Sequence, residues 1–391
     1  MKIKINKFDY FGRGIARNND KVIFVNKAIP EEIVDIKIIK ENKKYDEAII
    51  TKVIHASPNR INEICPFYDK CGGCNFLHTN YEVEKEFKIN KAIELFGRCD
   101  NFYETSNLNY RNKVILHVKN GKIGLFEEKS NNLININYCY LLNDNINKVI
   151  RDLEKEDLSK IEKVIIKTYQ NRLMVHFFGE INNIDIISYV DTLICNEKIL
   201  KGNGYLEEEI DGKVFKIGCE SFFQVNREGL LNIYKVIDRF LTNKKINKVL
   251  DLYSGISLWS ILISDKVNEI TSIEINREAC INAKESIKKN NISNIKIING
   301  NVKDYIDSFN NIDLVIIDPP RSGLDKKTRE YLKMISSKFI IYISCDMHTL
   351  KRDLDNLKEV YEIKEVNLVD MFKRTYHVES VCLLCRKTVD K

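Results

Sequence analysis

KVLDLYSGISLWSILIS, residues 248–264, sets the architecture of the C-terminal part of this chain. It reads as a buried strand, a short turn with one glycine, and the start of a helix. Where a doubly wound parallel sheet begins, that turn is where an adenosine-containing ligand sits. From about residue 216 onward, apolar runs alternate with amphipathic helical segments, as a parallel sheet covered by helices requires. The next strand, EITSIEI, brings Glu274 to its carboxyl end, 19 residues after Gly255, where an acid can accept both ribose hydroxyls. A third, IKIINGN, ends at Asn301, suited to an adenine edge. The G-x-G-x-x-G fingerprint of dinucleotide sites is absent, so S-adenosylmethionine fits this pattern better than NAD.

A fourth strand runs into DPPRSGL (318–324). Two prolines fix φ and remove donors, so the chain there forms a rigid lip with the Asp318 carboxylate at its base. The fifth, KFIIYISCDMHTL (338–350), places Cys345 where its apolar run stops, at the carboxyl edge where such sheets carry their active sites. Cys382 and Cys385 tempt one to propose a metal site. At i and i+3 on a strand they face opposite sides, and core packing is the better reading.

Upstream the character changes. Residues 1–55 read as short alternating strands punctuated by Gly, Asn and Pro, the size of a small OB-like β-barrel. Residues 1–60 hold 13 Lys and Arg against eight Asp and Glu, most of the net charge of +6 of the 391-residue chain, as a nucleic-acid contact module would. CPFYDKCGGC (65–74) packs three thiols into ten positions. Three sulfurs leave a tetrahedral site one ligand short; Cys99 or His78 could complete it, with zinc or an iron–sulfur centre as the metal. No run of 18 apolar residues and no signal-like start occur, so the expectation is a cytoplasmic chain with no membrane partner.

Taken together these segments resemble the RNA uracil-5 methyltransferases that use S-adenosylmethionine, above all the 23S ribosomal RNA branch with a TRAM domain and an iron–sulfur cluster. FGRGIARNNDKVIFVNKAIPEEIVDIKI, CPFYDKCGGC, SFFQVN, DLYSGIS, IDPPRSGL, ISCDMHTLKRDL and DMFKRTYHVESV recur in that family in this order. The resemblance implies a [4Fe–4S] cluster on Cys65, Cys71, Cys74 and Cys139. It places S-adenosylmethionine among Gln224, Tyr253, Glu274, Asn301 and Asp318, with Cys345 as nucleophile and Glu379 as base. Three positions depart from the family pattern: Ser254 for the usual Cys, Ser257 for the usual Gly, and Lys373 for a common Pro. A side chain at 257 is expected to crowd the loop facing the methionine part of the cofactor.

The expected architecture is α/β: a TRAM unit (1–56), a mixed, β-rich central unit carrying the cluster (57–215), and a Rossmann-like methyltransferase unit (216–391). The expected activity is methylation of uridine C5 in RNA, with 23S ribosomal RNA as partner and a monomer as the working form. The family's transfer-RNA branch generally lacks the TRAM domain and cluster. A cytosine-5 or transfer-RNA uracil-5 methyltransferase, and an inactive RNA-binding assembly factor, are the alternatives. Arg111 and Lys113 are candidates for the RNA-gripping surface.

Overall fold

The computed structural model describes residues 1–19, 21–181, 187–335 and 337–387. Strands β1 (Lys2–Lys4), β2 (Lys7–Phe8), β3 (Gly14–Asn18), β4 (Lys21–Asn26), β5 (Ile33–Glu41) and β6 (Tyr45–His55) form one sheet in the order β1-β5-β6-β4-β3-β2. Its two edge strands are neighbours in the chain, so the sheet must curl until its ends meet. Alternation turns Ile23 and Val25 of β4 and Val34 and Ile36 of β5 into the enclosed core.

Helix α1 (Tyr81–Phe96) follows the cysteine segment and ends at Gly97, whose left-handed backbone suits glycine. Strand β7 (Asn101–Tyr103) comes next. A second sheet contains β8 (Lys113–Lys119), β9 (Lys122–Phe126), β10 (Leu133–Asn135), β11 (Ile161–Tyr169), β12 (Arg172–Gly179), β13 (Thr192–Cys195) and β14 (Lys198–Lys201). Helix α2 (Asp144–Leu153) lays Ile146, Val149, Ile150 and Leu153 on it. This helix ends at Leu153, and Glu156–Ser159 beyond it is not helical. The hairpin β15 (Tyr205–Ile210) and β16 (Lys213–Gly218) leads into helix α3 (Arg227–Leu241).

The third sheet is built from β17 (Lys248–Leu252), β18 (Glu269–Glu274), β19 (Ile295–Asn299), β20 (Leu314–Ile317), β21 (Phe339–Ser344), β22 (Tyr361–Val369) and β23 (Glu379–Arg386). Its order, β19-β18-β17-β20-β21-β23-β22-β7, reverses direction at β17. The pairs from β19 to β21 are parallel, and β23 inserts antiparallel to both β21 and β22. Helices α4 (Leu258–Leu262), α5 (Arg277–Lys289), α6 (Val302–Tyr305), α7 (Lys326–Met334) and α8 (Met347–Leu357) complete the doubly wound arrangement.

Although β7 belongs by sequence to the central segment, it pairs with β22 as the far edge of this sheet. Helix α1 docks beside it through a fully buried Lys88, whose ammonium meets Glu84 (2.5 Å) and Asp370 (2.7 Å). Glu84 also accepts the Arg374 backbone N–H (2.7 Å). A buried cation requires such paired carboxylates, since water no longer solvates it. The segment after β22 is thereby fastened to the helix that follows the thiols. No helix among the described residues is long and apolar enough to cross a membrane.

Candidate active site

Ligands of doubly wound sheets lie outside the strands' carboxyl ends, at the point where strand order reverses. At β17 the structure opens a cavity of about 650 Å³. Gln224, Tyr253, Glu274, Asn301, Asp318, Cys345 and Glu379 all line it. Each comes from a different loop or strand end, so the topology alone gathers them.

The floor is the turn after β17. Tyr253, Gly255 and Ser257 all have positive φ (60°, 56° and 57°). The Gly255 N–H donates to Glu274 Oε2 (2.8 Å), and Glu274 Oε1 takes the Asn276 N–H (2.7 Å). Glu274 therefore braces the turn as well as facing the cavity. Ser257 does not crowd the cavity as expected: it is buried and absent from the lining, with its hydroxyl toward Ser254 Oγ (3.5 Å). What the serine brings is backbone strain, because a left-handed φ disfavours any residue with a Cβ. Asn301 lies two residues past the end of β19 and caps α6, its Oδ1 accepting the Lys303 N–H (3.3 Å).

Gln224 is delivered by the crossing from β16 to α3, and the second sheet holds that crossing. Lys167 of β11, fully buried, donates to the carbonyls of Gly218 (2.7 Å) and Ser221 (3.0 Å). Asn112 donates its side-chain amide to the Gln224 carbonyl (3.0 Å) and its N–H to that of Val225 (2.9 Å). Burial pushes the Lys167 ammonium down to about 7. Neither residue was singled out from sequence. A lysine inside an otherwise apolar strand (VIIKTY) was the available signal.

The reacting end pairs Cys345 with Glu379. Ser344 of β21 faces Ser380 of β23 in an antiparallel ladder, so the next residue along β21 and the previous one along β23 meet at its end. Burial pushes the Cys345 thiol up to about 12; Glu379 and Asp318 add to this, and Arg321 opposes it. Glu379, buried, is held well above the ordinary carboxylate range by burial and then by Asp318, again against Arg321. Asp318 is raised to about 6 by burial, while the Trp259 indole N–H (3.1 Å) supports its ionised form. Arg321 is thus the cation shared by Cys345 and Glu379. It stands directly after the two prolines of IDPPRSGL, and that place beside the rigid lip is its signal in the sequence.

The four thiols expected to hold a cluster lie in one neighbourhood, but they are not arranged as a metal site. Cys65, Cys71 and Cys139 all act electrostatically on Cys74, whose thiol burial pushes far up. Among the described residues no three His, Cys, Asp or Glu stand close enough for a single metal ion. Arg111, read from sequence as part of the RNA surface, is only partly exposed. It lies beside Cys74 and Cys139, and its Nε is buried with no hydrogen-bond partner. Cys99 lies apart from this group, packed against the core under the third sheet. His78 is bonded instead to the Tyr68 hydroxyl through Nδ1 (2.6 Å).

Comparison with known proteins agrees with the geometry. Residues 183–387 match the tRNA (Uracil-5-)-methyltransferase family and residues 1–51 the TRAM domain. An uncharacterized RNA methyltransferase of Aquifex aeolicus is 30% identical, with 98% of each chain covered. Another from Clostridium acetobutylicum is 31% identical, covering all of this chain and 97% of its own. The Pyrococcus abyssi tRNA (uracil-54, C5)-methyltransferase, solved with S-adenosyl-L-homocysteine, superposes with a TM-score of 0.83 over 98% of this chain and 100% of its own, at 24% identity. The chain, with its N-terminal TRAM domain, belongs to the S-adenosylmethionine-dependent RNA uracil-5 methyltransferases.

Proposed function

We propose that the chain methylates C5 of a uridine in 23S ribosomal RNA through a covalent adduct with Cys345. The observation that carries this reading is the meeting of a thiol and a carboxyl, Cys345 and Glu379, in the cavity lined by Gln224, Tyr253, Glu274, Asn301 and Asp318. Bound S-adenosylmethionine supplies the methyl group and a sulfonium charge. The Cys345 thiolate adds to uracil C6, giving an enolate whose C5 is nucleophilic. Arg321 favours the thiolate over the thiol at the start. Once C5 carries the methyl group, Glu379 removes the C5 proton, the C5–C6 double bond re-forms and the thiolate leaves. Burial holds the Cys345 thiol high, and the sulfonium charge of the bound methyl donor would add to Arg321 in favouring the thiolate. The target base has to leave its stack to reach this depth.

The units divide the work: 1–56 and 57–215 grip RNA, and 216–391 carries the chemistry. Cys65, Cys71, Cys74 and Cys139 would hold a [4Fe–4S] cluster. Its support is Arg111, a cation whose buried Nε lacks a partner and which a negatively charged cluster would match. No step of the reaction needs the cluster, whose role would be to position the RNA-binding segments.

Transfer RNA is the second reading, because the full-length structural neighbour acts on it by name. Nucleoside mass spectrometry separates the two. Unmodified 23S ribosomal RNA and transfer RNA are each incubated with S-adenosylmethionine and wild-type or Cys345→Ala protein. 5-Methyluridine in the ribosomal RNA, lost in the variant, is the expected result. 5-Methyluridine in transfer RNA alone moves the substrate, and 5-methylcytidine in either removes the uracil claim.

A further inference from the structure

Helix α8 begins directly after Cys345, so whatever sets its first turn also sets the thiol. Asp346 caps it, accepting the N–H groups of His348 (3.0 Å) and Thr349 (2.9 Å). Ser344 Oγ donates to the Asp346 carbonyl (3.1 Å) and accepts the Asp346 N–H (3.2 Å), closing a loop around Cys345. Thr349 Oγ1 donates to the Arg321 carbonyl (3.1 Å), which ties the same turn to the proline lip. One turn of helix therefore carries the nucleophile and braces the cation beside it.

That turn is also met from the far end of the chain. Between β2 and β3, Asp9 accepts the N–H groups of Phe11 (2.9 Å) and Arg13 (2.7 Å) and the Arg13 guanidinium (2.7 Å), which fixes the shape of the connection. It presents Tyr10, half-buried, with its ring centroid 3.8 Å from that of His348. Lys91 of α1, itself buried, donates to the Tyr10 carbonyl (3.2 Å), and its ammonium lies 3.3 Å from the centre of the Tyr10 ring. A cation so placed is attracted by the ring's quadrupole. Burial pushes the Lys91 ammonium down to about 7, and Asp346 works against this. Burial also raises the Tyr10 phenol; Asp346 adds to this, and the N–H groups of His348 and Met347 oppose it. Tyr10 thus sits against the residues that directly follow Cys345.

We propose that Tyr10 is a positioning residue for Cys345, through which the first sheet sets the geometry of the nucleophile by way of the first turn of α8. The proposal rests on the uracil-5 reading, in which Cys345 attacks, and gives the TRAM unit a part in turnover beyond gripping RNA. Tyr10 meets α8 at His348, so a displacement there reaches the thiol across three residues. Position matters steeply at a nucleophile, because a misplacement of about 1 Å can cost roughly 100-fold in rate.

Alkylation of the full chain by iodoacetamide without RNA, mapped by peptide mass spectrometry, tests this apart from substrate choice. Tyr10→Ala should speed alkylation of Cys345, because a loosened turn lets water reach a thiol that burial now holds high. Cys382, buried in the core of the same sheet, should stay as slow as in wild type. In steady-state assays with whichever RNA is methylated, kcat should fall about 10- to 100-fold. KM for S-adenosylmethionine should stay put. His348 is exposed, so His348→Ala spares the fold and should reproduce both effects. The double variant should be no worse than either single one, and Tyr10→Phe should recover most of kcat. A raised KM for RNA with kcat unmoved would make Tyr10 an RNA contact only and overturn the proposal. So would an unchanged alkylation rate at Cys345, or Cys382 opening alongside it. If the wild-type chain methylates neither RNA, the uracil-5 reading falls, and the alkylation rates still decide whether Tyr10 positions the thiol.

Discussion

Two cavities of this molecule are of similar size, about 650 and 740 Å³, yet they are assembled in opposite ways. The first lies at the reversal point of one parallel sheet, and its residues stand at successive strand ends. The second is a seam between the first sheet, the cysteine segment and a loop near the C-terminus. A strand-end site is specified by local sequence, because each strand carries its own functional residue to a predetermined edge. A seam exists only after three distant segments have docked. The first suits chemistry that must be held fixed, and the second, lined by Cys71 and Cys74, belongs with the cluster those thiols would hold.

The sharpest way to break this contrast is to remove the reacting groups of the strand-end site. Cys345→Ala should lower methylation by at least about 10⁴-fold, as loss of a nucleophile does elsewhere. Glu379→Gln should fall comparably in turnover while trapping the Cys345–RNA adduct, visible as a denaturant-resistant band shift. If Glu379→Gln turns over normally, the carboxyl is not the base.

Arg111 probes the seam's neighbourhood. Arg111→Met should weaken retention of an iron–sulfur cluster by about 10- to 100-fold, the range seen when a partner of a metal's ligands is removed. Iron analysis and visible absorbance of anaerobically purified protein would read this, with about four irons per wild-type chain. Equal iron in both proteins would dissociate Arg111 from the thiols.

pH separates the regions further. Glu379 must be ionised to accept the C5 proton, and burial holds it well above the ordinary carboxylate range. Decay of the methylated Cys345 adduct, the step Glu379 drives, should therefore climb about tenfold per pH unit on the acid side, over a limb displaced upward from ordinary carboxylates. RNA binding should not follow that limb. The smallest effect expected is at the turn floor: Ser257→Gly should stabilise the chain by about 1 kcal/mol, since glycine accepts its left-handed backbone freely. A fall in thermal stability would show that the Ser254–Ser257 hydroxyl contact outweighs the strain.

How much could be read from sequence follows the same division. The doubly wound order and the gathering of Glu274, Asn301, Asp318 and Cys345 were legible, because strand period and strand ends are local features. Lys167 and Asn112 were not, since their role lies in carbonyls some 50 and 110 residues away. Ser257 was misjudged for a related reason. Its identity was visible, but whether its side chain faces ligand or core depends on a backbone angle that no spacing encodes. Arg111 looked like a surface cation, yet its Nε is buried and the group lies beside Cys74 and Cys139.

The pairing of β7 with β22 has a consequence for synthesis. Asn101 meets Asn367 across that edge, so the ribosome must add 266 further residues before the strand finds its partner. At about 5–20 residues per second that wait is roughly 13–50 seconds. Throughout it Lys88 and Glu84 lack Asp370, and the edge of β7 stays open to other strands. Until then the early part of this chain carries a strand without its partner, and a fragment beginning at residue 216 would lack the strand that covers the β22 edge.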